Sequence, residues 1–162
     1  VLNRAMTSLC CACITNLPKY NCIMKKHLII QNEIDEISKL PAFIDEIAEE
    51  LDLIPELVFN LNLVLEEAVS NIILYAYPKQ MGKEISIMAD KNDNILVLTL
   101  TDTGKEFDPT QVPEVDINLS AEERSIGGLG IFLIKNIMNE VEYQRVEGRN
   151  VFTLKKILDE QI

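Results

Sequence analysis

Residues 55–76 read PELVFNLNLVLEEAVSNIILYA, and the order of polar and apolar side chains in this stretch decides what fold to expect. Pro55 sits where proline is welcome, in the first turn of a helix, and the helix should stop near Ala76, before Pro78. At about 100° per residue, Leu57, Leu61, Val64, Leu65, Ala68, Ile72 and Tyr75 form an apolar arc. Asn62, Glu66 and Ser70 make a solvent stripe on the opposite side. Asn60, Glu67 and Asn71 belong to neither: they form a third line, bracketed by Leu63 and Leu74 on one side and Val64 on the other. A charge flanked in this way lies at a half-solvated edge or faces a polar cavity.

Glu67 and Asn71 are four residues apart, so they can act together on one target. Their oxygens are hard ligands that suit Mg²⁺, a metal that keeps most of its waters and often bridges to phosphates. A carboxylate there could instead take a proton from a hydroxyl or a water. The plain structural alternative is a hydrogen bond within the helix on a half-exposed face.

Outward from this helix the pattern is regular. On its N-terminal side, Ile37–Leu51 has the spacing of an amphipathic helix and Leu28–Ile30 suits a short strand. On its C-terminal side, 84–90 and 95–101 are strands joined through the turn-rich residues 91–94. Residues 103–128 are long and polar, 131–138 helical, and 141–146 and 151–157 strands about the turn 147–150. The order β-α-α-β-β-loop-α-β-β predicts an α/β (α+β) two-layer sandwich. One mixed, mainly antiparallel sheet should be covered by helices on one face. The irregular segment is long enough to suggest a lid or binding loop, with a disordered insertion as the alternative.

Two glycine segments bear on function. Asp102-Thr103-Gly104 follows directly on a strand. An Asp there can accept a hydrogen bond from an amino group, and glycine admits a close backbone approach, although Asp-x-Gly is also ordinary turn chemistry. Ser125-Ile126-Gly127-Gly128-Leu129-Gly130 leads straight into a helix. Exposed N–H groups and the dipole at a helix start make a phosphate cradle; the alternative is a hinge. The segment is neither a P-loop nor a dinucleotide fingerprint.

The formal net charge of −11 argues against nucleic acid as a partner. An anionic ligand must therefore be held locally, by helix-terminal amides, by Mg²⁺ on Asn71, and by Lys105, Arg124 or Lys135 near the glycine segments. No uninterrupted apolar run approaches the roughly 20 residues of a bilayer span. Cys10, Cys11, Cys13 and Cys22 lack usual zinc-finger spacing, and the absence of later cysteines fits a reducing cytoplasm. Residues 1–23 have no periodic pattern and read as an extension ahead of a natural start at Met24, with one domain over 24–162.

Three motifs now carry a family likeness. Glu67-Ala-Val-Ser-Asn71 resembles the N box of the GHKL ATPases, Asp102-Thr-Gly104 the G1 box, and Gly127-Gly-Leu-Gly130 the G2 box. The wider shape, Glu-Ala-Val-Ser-Asn through Tyr-Ala-Tyr-Pro to Gly-Gly-Leu-Gly-Ile, resembles the anti-sigma-factor serine kinase branch, from about Met24 to Lys156. The resemblance implies the Bergerat ATP-binding fold, with Mg²⁺ on Asn71 and Glu67 as general base toward a serine or threonine hydroxyl. It implies Asp102 on the adenine amino group, Gly104 lining the base, Gly128 and Gly130 on the phosphates, and residues 105–127 as lid. Lys105, Arg124 and Gly127 fall within the implied nucleotide site, and Thr153 reaches toward the adenine side. The implied substrate is an anti-sigma-factor antagonist and the implied client a sigma factor, regulated by partner switching in the cytoplasm. Homodimerisation is suggested as well.

Two positions depart from the family pattern. Tyr75 stands where many relatives have histidine, and Glu106 stands where G1 usually has a second glycine. Glu106 adds a side chain and a negative charge beside the lid, which keeps open a non-catalytic, nucleotide-gated binding module. Sensor-kinase relatives phosphorylate a histidine in a helical hairpin, whereas His27 lies in the first expected strand.

Overall fold

The structure, a computed structural model, describes residues 22–77, 81–111 and 128–158. Its strands are β1 (Cys22–Gln31), β2 (Glu84–Asn92), β3 (Ile95–Asp102), β4 (Glu140–Val146) and β5 (Arg149–Ile157). They form one sheet in the order β1-β2-β3-β5-β4, with every neighbouring pair antiparallel. The helices are α1 (Leu40–Leu51), α2 (Pro55–Asn71) and α3 (Gly128–Ile137). α2 packs between the other two.

The element order matches the sequence expectation, and no described pair is parallel. Connectivity explains this. The chain leaves β1, passes over the sheet in α1 and returns in α2, so β2 starts at the end where β1 stopped. Both later hairpins close on two residues, Asp93-Asn94 and Glu147-Gly148. Glu147 and Gly148 both have positive φ, 48° and 79°, the geometry whose twist matches the flanking strands.

Alternation along the strands decides which face is covered. Ile85, Ile87 and Ala89 on β2, Leu96, Leu98 and Leu100 on β3, and Phe152 and Leu154 on β5 are buried. Their partners across the layer include Ile44 and Ile47 of α1, Leu61 and Leu65 of α2, and Ile134 of α3. Each such side chain, fully buried, contributes on the order of 1.5–3 kcal/mol. By length and composition Pro55–Ala76 could also cross a membrane, but Leu61, Val64, Leu65, Ala68 and Val69 are buried in this core.

Two helical details differ from expectation. Residues Ile34–Lys39 form a 3-10 helix and α1 starts only at Leu40. Pro41 lacks the N–H that would carry an α ladder back to Ile37. The helix after Asn71 widens into a π turn, Ile72–Ala76. The extra residue rotates the end of the helix, so Ile73 and Ala76 are buried whereas Ile72 and Tyr75, assigned to the apolar arc, are half-buried.

Candidate functional site

The out-and-back connections place the C-terminal end of α2, the end of β3, the start of α3 and the start of β5 at one end of the sandwich. Glu67 and Asn71 point from α2 toward α3, where Gly130 lies against both. A Cβ on Gly130 would run into the Glu67 carboxylate and sit 3.5 Å from Asn71 Nδ2. A carboxylate at a helix start is favoured by the exposed N–H groups and the dipole. Asn71 is only 7% exposed, and its Nδ2 has no hydrogen-bond partner among the described residues. Such an orphan is costly unless something fills it. A half-turn of the amide presents either an oxygen to a cation or an NH₂ to an anion.

Asp102, 3% exposed, closes β3 and accepts from the Gly104 amide at 2.7 Å and from Asn150 Nδ2 at 2.9 Å, both at Oδ1. Close by, the Tyr77 hydroxyl accepts from the Thr103 amide at 2.8 Å. Burial pushes the Asp102 pKa up from the ordinary carboxylate value. Its hydrogen bonds and the nearby Arg145 charge oppose that shift. Burial likewise raises the Tyr77 and Tyr143 hydroxyls.

Gly104 is required by packing, since a Cβ there would lie 2.6 Å from both the Cβ and the carbonyl oxygen of Ala76. The Lys105 amide binds that same oxygen at 2.7 Å, which ties the G1 segment to the end of the π turn. A narrow cavity of about 30 Å³ is lined by Asn71, Asp102 and Asn150 together with Ala76, Phe107 and Phe152. A larger groove of about 730 Å³ lies between α1 and the other flank of α2, lined by Pro41, Phe59 and Glu66, and takes in no motif residue.

Thus Glu67, Asn71, Asp102, Gly104 and Gly130 come together, with Gly128 opening α3. Lys105 adjoins Gly104 and is exposed. Thr153 does not join them. Asn150, Phe152 and Leu154 face the helices, so Thr153 faces the open side of the sheet, opposite Thr99 and Glu142. Lys135 reaches Thr110 O at 3.0 Å, at the short 3-10 turn Pro109–Gln111. Arg124 and Gly127 lie outside the described residues. Among the described residues no cluster of three His, Cys, Asp or Glu could hold a metal. A metal would need its other ligands from phosphate and water, as Mg²⁺ does.

Sequence reading missed Asn150, Arg145, Tyr143 and Tyr77. For Asn150 a signal existed: it is the polar residue among the buried inward positions of a strand that also buries Phe152 and Leu154.

A family model described as histidine kinase-like ATPase domain matches residues 30–156. Serine-protein kinase RsbW of Bacillus cereus (strain AH820) is 31% identical over 107 residues, covering 64% of this chain and 66% of that protein. RsbW of Bacillus thuringiensis (strain Al Hakam) matches with the same identity and coverage. The chain therefore spans just under two thirds of these relatives' length. Among solved structures, the RsbU and RsbW domains of a Mycobacterium tuberculosis protein align with a TM-score of 0.60 at 14% identity. That alignment covers 83% of this chain and 32% of that one, a likeness of fold. The GHKL likeness of the three motifs thus agrees with a match that reaches from β1 to β5, and the chain belongs to the histidine kinase-like ATPase domain family.

Proposed function

We propose that the chain is an ATP- and Mg²⁺-dependent protein serine/threonine kinase. Its substrate is an anti-sigma-factor antagonist, whose phosphorylation switches a sigma factor between free and held states in the cytoplasm. One observation carries the reading: Glu67 and Asn71, whose Nδ2 has no hydrogen-bond partner among the described residues, face the glycine start of α3, beside the pocket that contains Asp102. The RsbW relatives are named serine-protein kinases, which supports the same chemistry.

Asn71 would hold Mg²⁺, which supplies charge neutralisation at the phosphates. Glu67 takes the proton from the substrate hydroxyl as its oxygen bonds to the γ-phosphorus, and the bond to the oxygen retained by ADP breaks. The amides at the start of α3 hold phosphate oxygens. With a cavity of about 30 Å³, nucleotide entry requires the Phe107–Pro109 segment to move outward.

Incubation with labelled ATP and the cognate antagonist should transfer label to serine or threonine. Glu67→Gln should abolish transfer and keep nucleotide binding; transfer at the wild-type rate would remove Glu67 from the mechanism. Glu106, exposed and next in sequence to the pocket-lining Phe107, favours a second reading as a nucleotide-gated binding module. Calorimetric ATP binding without label on any co-purifying partner would select that reading.

A further inference from the structure

Asn150 belongs to none of the three motifs, yet it is 4% exposed and its amide is engaged at both ends. Its Nδ2 donates to Asp102 Oδ1 at 2.9 Å and to Lys105 O at 3.0 Å. Its Oδ1 accepts from Arg145 Nη1 at 2.6 Å and from the Tyr143 hydroxyl at 2.8 Å. Turned end for end, the amide would set its NH₂ against the donor-only Arg145 guanidinium and its oxygen against two acceptors, so one orientation is enforced. Arg145 Nη1 also binds Gly104 O at 2.9 Å, which ties the same cluster to the G1 backbone.

The effect falls on Asp102. An ionised carboxylate has about four lone-pair sites. Gly104 N–H and Asn150 Nδ2 both fall on Oδ1, which leaves Oδ2 to accept from a ligand donor. The walls beside it, Ala76, Phe107 and Phe152, are apolar and suit a flat ring.

We propose that Asn150 is a positioning residue that pins Asp102 Oδ1, so that Oδ2 is held in place to select a purine with an amino group at its six position. This rests on the reading of the pocket as an adenine nucleotide site. Without the Asn150 donor, Oδ1 keeps only the Gly104 amide, and the carboxylate can turn about that one bond. Selectivity then falls further than affinity for the rest of the nucleotide.

Competition binding with the full chain, using Mg-ATP and the Mg complex of purine riboside triphosphate, which lacks the six-amino group, tests this. The wild type should prefer ATP by about tenfold or more, the scale of one hydrogen bond to a charged acceptor. In Asn150→Ala the ratio should fall toward one; loss of a merely structural contact would weaken both ligands together and keep the ratio. Should Asn150→Ala lose its native circular dichroism, Tyr143→Phe, which removes one donor to the Asn150 Oδ1, carries the test with a partial fall in the ratio. An unchanged ratio in a folded variant overturns the positioning role alone. A wild type that binds neither triphosphate overturns the pocket reading and this inference with it.

Discussion

At Asp102 the sign of the pH effect separates function from stability. Its folded pKa lies above the ordinary value of 3.8, chiefly because of burial. Between the two values the native chain holds more protons than the unfolded one, so stability falls as pH rises through that window and the penalty persists at neutral pH. Asp102→Asn keeps an oxygen for Gly104 N–H and Asn150 and removes the buried charge. At pH 7 it should leave stability within about 1 kcal/mol of wild type, or raise it, and flatten the slope of melting temperature against pH just above pH 4. Nucleotide affinity should drop by about tenfold or more, since the remaining acceptor is lost. Melts across pH with parallel titrations check both halves, and a marked loss of stability at pH 7 contradicts the account. Glu67 and Asn71 were legible in the sequence because a helix makes four-apart residues neighbours. The partners of Asn150 and Arg145 were not, because their contacts to Asp102 and Gly104 span 48 and 41 residues and depend on strand register. Register likewise sets Thr153 one residue out of phase with the inward face.

Among the elements, the two close-approach glycines should respond differently to the same change. At Gly104 the obstacle is the Cβ and backbone of Ala76, which cannot yield without moving the π turn. Gly104→Ala should cost about 1–3 kcal/mol or more, seen in denaturant melts. At Gly130 the obstacle is the far end of a glutamate side chain. Gly130→Ala should keep stability within about 1 kcal/mol, helped by the helix preference for alanine, while displacing Glu67. Phosphoryl transfer should then fall about a hundredfold, the scale of a 1 Å misplacement, and equal activity in this variant would argue against the contact. Helices and strands were readable from periodicity, and the boundaries moved where local chemistry intervened, as at Pro41. The π turn after Asn71 left no trace in the pattern, because a single extra residue shifts the phase without breaking it.

Across the whole molecule the net charge of −11 opposes both compaction and the approach of an anion. Raising ionic strength from about 0.01 M to about 0.15 M shortens the screening length from about 30 Å to about 8 Å. The melting temperature should therefore rise with salt, and Mg-ATP should bind no more weakly, opposite to the behaviour of a basic nucleic-acid binder. Circular dichroism melts and calorimetry over this range decide it; a melting temperature that falls with salt contradicts the prediction. The pairing of Asp102 with Asn150 across β3 and β5 has a consequence for synthesis. While β3 is the last strand to have left the ribosome, the growing chain already carries Glu67, Asn71, Asp102 and Gly104, yet nothing holds the Asp102 carboxylate from the far side. Domains form from the N-terminus as they emerge. An adenine site of the kind proposed would thus be complete only once the β4–β5 hairpin docks.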